Sequence, residues 1–235
     1  MAVRLPCYYG KKMSIAPWSF SKAKAFEQCP KQFYHEKILK EYPFVETEAI
    51  RYGNAFHTAA EKYIRDGTPL PKMFDYAQAM LDSLNAKKGV KLCEERLGIT
   101  ENLLPCSFYA KGVWYRGIAD LLIINEEDRL AWVIDYKTGK SAKYADKGQL
   151  ELMALLVFAH YPDIKYVRAG LLFVVSNDLV KDSYADSDAS VLWTKWTNVY
   201  SIMKMAEKRN VWNARPSGLC KRHCPVTVCA HNGSN

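Results

Sequence analysis

Gly117-Ile118-Ala119-Asp120-Leu121-Leu122-Ile123-Ile124 is followed, after Asn125-Glu126-Glu127-Asp128, by Trp132-Val133-Ile134-Asp135-Tyr136-Lys137-Thr138-Gly139. Two apolar runs around a polar quartet read as a β-hairpin. Strands that meet at a tight turn lie side by side, so Asp120 and Asp135 converge at the sheet. Side chains alternate along a strand, so Asp135 and Lys137 point the same way. Two carboxylates and an ammonium therefore gather on an otherwise apolar hairpin. Carboxylates there are costly to bury without a cation. A hard divalent metal with oxygen ligands removes that cost. Taken alone, Asp-x-Lys reads more readily as a solvated ion pair, and it is the other landmarks that reverse that judgement.

Gly53-Asn54-Ala55-Phe56-His57-Thr58-Ala59-Ala60-Glu61 has helical spacing. His57 and Glu61 are four residues apart and share one helix face. Gly53, one turn before His57, lets that helix approach a neighbour closely. Gln149 opens the apolar run Leu150-Glu151-Leu152-Met153-Ala154-Leu155-Leu156-Val157-Phe158, which reads as a helix packed on the sheet.

In this order and spacing the pieces resemble the PD-(D/E)XK nuclease superfamily, and within it the RecB-type exonucleases. That branch carries G-x-x-x-H-x-x-x-E on a helix, G-x-x-D on a strand, D/E-x-K on the next, and then a Q-x-x-x-Y helix. The matching residues here are Gly53, His57 and Glu61, Gly117 and Asp120, Asp135 and Lys137, and Gln149. Met153 stands where the family has tyrosine. The resemblance implies an α/β, restriction-endonuclease-like core with a mixed β-sheet between helices. It also implies a metal-dependent DNA nuclease acting on single strands or ends, with partners in recombination, repair or replication. In that reading His57, Asp120, Asp135 and the Tyr136 carbonyl hold Mg²⁺ or Mn²⁺, the imidazole favouring Mn²⁺. Lys137 orients water or stabilises the transition state, Glu61 holds the His57 ring or a second metal's water, and Gln149 fixes Lys137 or a phosphate.

Cys220, Cys224 and Cys229 lie within ten residues at C-x3-C-x4-C, among the turn residues Pro216, Ser217 and Gly218. Three thiols so placed suggest soft-metal ligation. Cys29, His223 and His231 are the candidates for a fourth ligand. The Cys29-Pro30-Lys31-Gln32-Phe33 context is similar to that of the CRISPR-associated and AddB-like members, which implies a [4Fe–4S] cluster held by Cys29, Cys220, Cys224 and Cys229. Zn²⁺ is the alternative. Such a site would close a very long loop and serve structure rather than redox chemistry.

The chain has 235 residues, 49% hydrophobic and 25% charged, enough for one full core, and one nuclease domain over 1–235 is expected. Its parts are a helical region at 19–66, a core at 90–175 and a terminal helix with the cysteines at 191–235. No run approaches ~18 uninterrupted apolar residues, which excludes a membrane span, and the first residues lack a signal-peptide core. Seven cysteines without such a leader argue for a reducing cytoplasm, or a host cell's cytoplasm for a viral protein, and leave Cys7, Cys93 and Cys106 as free or buried thiols. The net charge is +8, and from Lys195 onward seven basic residues face the single acid Glu207. Lys204, Lys208, Arg209 and Arg215 are candidate phosphate contacts. Trp193, Trp196, Tyr200 and Trp212 are either base-stacking platforms or a core-facing stripe. Strands are expected near 90–97, 107–109, 113–124, 130–136 and 167–175. Helices are expected over 73–86, 147–159 and 191–210, with a loop or irregular hairpin at 177–190. Two further readings are a catalytically silent nucleic-acid-binding or assembly subunit of the same fold and a zinc-ribbon protein. The first fits poorly with an intact Asp-x-Lys, and the second leaves every motif before Cys220 unexplained.

Overall fold

The structure, a computed structural model, describes residues 14–143 and 145–233; Cys7 lies outside them. The described residues divide into two compact units: those within Met1–Pro17, Ser21–Pro43 and Val199–Asn235 form one, and those within Trp18–Phe20 and Phe44–Asn198 the other.

The larger unit is built on a mixed six-stranded sheet in the order β2-β1-β3-β4-β5-β6. Its strands are β1 (Val90–Ile99), β2 (Pro105–Cys106), β3 (Tyr115–Asn125), β4 (Leu130–Lys137), β5 (Tyr166–Phe173) and β6 (Asp178–Ala185). All neighbours are antiparallel except β4 and β5. The β3–β4 hairpin forms where the sequence placed it. Asn125 closes the turn by accepting from the Asp128 N–H at 3.1 Å and donating to its carboxylate at 2.7 Å. The parallel step from β4 to β5 needs a crossover, and α5 (Gly148–His160) supplies it. That helix is buried from Leu152 to Phe158, as a run apolar on all sides requires.

Helices flank the sheet. On one face lie α3 (Glu48–Asp66) and α4 (Gln78–Asn85). Thr47 caps α3 by accepting from the Ile50 N–H at 3.3 Å, and Gly67 ends it in the left-handed region at φ 68°. Phe56, Ala60 and Ile64 of α3 and Leu81 and Leu84 of α4 pack on Leu121, Ile123, Ile134, Tyr136 and Leu172. Removing a ring such as Phe56, which is fully buried, would cost about 3–5 kcal/mol. The alternate residues Leu122, Val133 and Leu171 are as deeply buried, so the second face is covered too, with α5 against β1 and β3–β6.

Three local expectations are corrected. The 177–190 stretch is not a loop: residues 178–185 are the regular edge strand β6, paired to β5 at every position. It reads as polar because an edge strand has one neighbour and much of it faces water. The 107–109 segment is a turn, closed by the Ala110 N–H on the Ser107 carbonyl at 2.9 Å, and β2 precedes it. The 73–86 helix starts as a 3₁₀ segment, Lys72–Ala77, before α4.

In the smaller unit α1 (Phe20–Gln28) from Ser21 on, α2 (Pro30–Phe33) and a π-helical Tyr34–Leu39 lie beside the chain's last segment. Trp212 stacks on Tyr34 at 4.9 Å and meets Phe26 and Phe33 at 6.3 and 6.1 Å. The Lys31 N–H donates to the Asn213 carbonyl at 3.3 Å. The helix α6 (Ala189–Arg209) contributes to both units. Among the described residues no helix is long and apolar enough to cross a membrane.

Candidate metal centre

The site sits where the hairpin strands part. Paired residues of β3 and β4 run from Asn125↔Leu130 to Leu121↔Ile134 and stop there. One residue further on, Asp120 Oδ2 accepts the Tyr136 backbone N–H at 2.6 Å in place of a ladder bond. Asp120 Oδ1 lies 3.3 Å from His57 Nδ1. Close approach of α3 depends on Gly53, where a Cβ would stand 3.3 Å from Thr138 Oγ1. On the other side, a Cβ at Gly117 would stand 3.0 Å from Met153 Sδ, so the glycine of G-x-x-D makes room for the Met153 side chain of α5.

Asp135, Lys137 and Gln149 form a closed triangle. Asp135 Oδ2 lies 2.5 Å from Lys137 Nζ, Lys137 donates to Gln149 Oε1 at 3.1 Å, and Gln149 Nε2 donates to Asp135 Oδ1. Asp135 Oδ2 is buried and, despite the ion pair, receives no well-directed hydrogen bond. Burial, then the nearby charge of Asp120, push the Asp135 carboxyl well above the usual carboxylate range, against the pull of Lys137 and His57. The same burial in reverse lowers the His57 pKa. Hydrogen bonds to Asp120 and Glu94 and the charges of Asp120 and Asp135 outweigh it and raise the imidazole to about 10. A hard cation would relieve both groups, and the donor set of carboxylate oxygens and one imidazole suits Mg²⁺ or Mn²⁺.

His57, Asp120, Asp135, Lys137 and Gln149 are thus brought together, and Tyr136 lies between them with its ring 5.7 Å from Phe56 and 5.9 Å from His57. Glu61 is turned elsewhere, to Arg65 Nη1 at 2.5 Å. The carboxylate beside His57 is Glu94, with Oε1 at 3.9 Å from Nδ1. Among the described residues His57, Glu94 and Asp120 are the group whose ligand atoms all lie within 4.8 Å of one another. Sequence reasoning missed Glu94. It stands opposite Asp120 where the β1–β3 pairing is interrupted, between Cys93↔Leu121 and Glu95↔Ala119, and its φ of 53° is unusual for a strand residue. The only sequence signal was a pair of acids, Glu94-Glu95, in a strand that also carries Lys91 and Arg96.

In the smaller unit Cys29, Cys220, Cys224 and Cys229 line one pocket, with His231 beside them; His223 is not in its lining. Backbone N–H groups point at the sulfurs: Arg215 to Cys29 and Ser217 to Cys220, both at 3.4 Å. Burial raises the Cys224 thiol, a Val226 backbone hydrogen bond opposes it, and the other three thiols add to the rise. Cys93 and Cys106 are free and half-buried, apart from this group.

Of the proposed phosphate contacts, Lys204 is 2.6 Å from Glu207, and Arg215 donates to the Glu27 carbonyl. Lys208 and Arg209 are exposed in the last turn of α6. The aromatic stripe resolves in favour of the core. Trp196 is buried with its N–H on Glu151 at 3.0 Å, Trp193 packs on Trp114 and Tyr115, and Tyr200 is buried. These three rings have no free face for a base.

The family model of the PD-(D/E)XK nuclease superfamily matches residues 17–229. No curated protein matches the chain. Among solved structures, one titled "Crystal structure of SSO0001" is similar, at 15% identity and a TM-score of 0.45 over 89% of this chain and 85% of that one.

Proposed function

We propose that this chain, which belongs to the PD-(D/E)XK nuclease superfamily, is a divalent-metal-dependent deoxyribonuclease of the RecB type that works on DNA ends or single strands. The observation that carries the reading is the meeting of His57, Asp120, Asp135 and Lys137 where β3 and β4 diverge. A catalytically silent subunit would have no use for an intact set of this kind.

His57, Asp120, Asp135 and the Tyr136 carbonyl would hold Mg²⁺ or Mn²⁺, with Glu94 added to the set. When bound, the cation supplies Lewis acidity toward water and the scissile phosphate. The residues do the remaining work. Asp120, fixed by the Tyr136 N–H, keeps its other oxygen toward His57. Lys137, held between Asp135 and Gln149, presents a positive charge where negative charge develops on the phosphate. Gln149 bonds both partners and keeps the ammonium from swinging into solvent.

The four cysteines we assign to an iron–sulfur cluster of structural role. A zinc ion with Zn–S of about 2.3 Å would draw four sulfurs to roughly 3.8 Å from one another. Among the described residues no three of the thiols lie within 4.8 Å of each other, although they share one pocket. That wider set favours a cluster, which places one ligand on each iron. Lys208 and Arg209, with Lys204 and Arg215, are proposed as further DNA contacts. Reduced cysteines suit a cytoplasmic setting, and recombination, repair or replication is the proposed context.

Digestion of end-labelled linear DNA beside a covalently closed circle tests the exonuclease reading. The linear form should disappear and the circle persist. Nicking of the circle at a comparable rate would make the enzyme an endonuclease.

A further inference from the structure

We propose that the groove between α4 and the β4–β5–β6 half of the sheet is a binding path for single-stranded nucleic acid. The proposal rests on the nuclease reading above and adds a place and a substrate class to it. The groove has a volume of about 970 Å³. Its floor is apolar, with Ile134, Leu172 and Leu179, and Leu179 is 52% exposed. Gly170 keeps the floor tight, since a Cβ there would lie 2.8 Å from Leu179 Cδ1. Trp132 stands in the same lining, with Lys87 Nζ 5.3 Å from its ring centroid.

Charge identifies the occupant. Lys87, Arg168 and Lys181 line the groove, and among the described residues none of the three is in an ion pair. Asp182, the one acid of the lining, is held by Lys147 at 3.2 Å. An apolar floor with unpaired cations fits a polyanion that also carries flat apolar groups. An unpaired strand offers both, phosphates to the cations and bases to Trp132 and the leucines. A duplex hides its base faces in the stack and cannot use the floor.

The test is anisotropy of labelled oligothymidylate with EDTA present, so that nothing is cut. Arg168→Glu/Lys181→Glu should weaken binding about tenfold or more and reduce the salt slope by roughly 0.7 for each phosphate that is no longer neutralised. Trp132→Leu, checked by its melting temperature, should lose about tenfold through the missing stack. An oligonucleotide carrying 4-thiothymidine should crosslink to peptides of α4 or β4–β6 in the unaltered protein. Wild-type affinity and slope in the charge variant, while the wild type cuts DNA with Mn²⁺, overturns the groove and spares the nuclease. Groove-dependent binding with no cutting under Mg²⁺ or Mn²⁺ does the reverse. Equal competition by duplex DNA, or by polyglutamate at equal charge, also overturns the proposal, the latter pointing to an acidic polypeptide.

Discussion

Asp120 Oδ2 receives the Tyr136 backbone N–H at 2.6 Å, one residue beyond the last paired rung of the β3–β4 hairpin. A carboxylate here takes the place of a backbone carbonyl, so the strands can part without leaving the N–H unsatisfied. The gap they open is where the proposed metal ligands meet. Asp120→Ala should therefore show two effects. Cleavage should vanish, and stability should fall by about 1.5–3 kcal/mol for a missing charge-assisted bond. Urea melts alongside the cleavage assay check both. Retained cleavage would remove Asp120 from the ligand set.

Lys137→Ala should leave metal binding largely intact and cost about 10²–10³ in rate, as removal of one group that stabilises the transition state commonly does. Gln149→Leu should cost less, because Asp135 still holds the ammonium at 2.5 Å. Single-turnover rates at saturating Mn²⁺ would separate the two. A Gln149→Leu loss larger than that of Lys137→Ala would put Gln149 on the phosphate instead.

His57 keeps its proton to about pH 10 in the metal-free protein, against an ordinary 6.5. A cation must displace that proton, so Mn²⁺ affinity should climb about tenfold per pH unit between neutral pH and about 10, and more steeply in acid, where the Asp135 carboxyl takes up a proton as well. The protonated ring also stabilises the metal-free fold. That contribution is fully present below 6.5 and lost as pH rises through about 10. Calorimetric titration of Mn²⁺ at several pH values should show the climb in wild type and a flatter line in His57→Ala. Glu94→Gln should weaken Mn²⁺ binding as well. Affinity independent of pH in the wild type would show that His57 is not a ligand.

Anaerobically purified protein should be brown and carry iron and acid-labile sulfide. Cys224→Ala should lower protease resistance, and Cys29→Ala should do the same, because both thiols line the pocket. Stoichiometric zinc without sulfide would reassign the site, with His231, which shares the lining, as the alternative to Cys29.

Much of this was legible from the chain. The β3–β4 hairpin declares itself because its turn residues bond one another locally, and α5 does so because it is apolar throughout. Asp135, Lys137 and Gln149 follow from strand alternation and a helix that starts soon after. Glu94 did not follow, since its place depends on the β1–β3 register and on a local backbone turn at φ 53°. The edge strand β6 was hidden by its polarity. Trp193 and Trp196 looked the same as a stacking stripe and as a packed one, because helical spacing alone does not say what covers a face.

The most direct measurement is single-turnover cleavage of a labelled single-stranded oligonucleotide, wild type beside Asp135→Asn, with Mn²⁺ and then with EDTA. The account predicts cutting by the wild type with Mn²⁺, none with EDTA, and binding without cutting by Asp135→Asn. Cutting that survives EDTA, or an Asp135→Asn protein as active as the wild type, would contradict it.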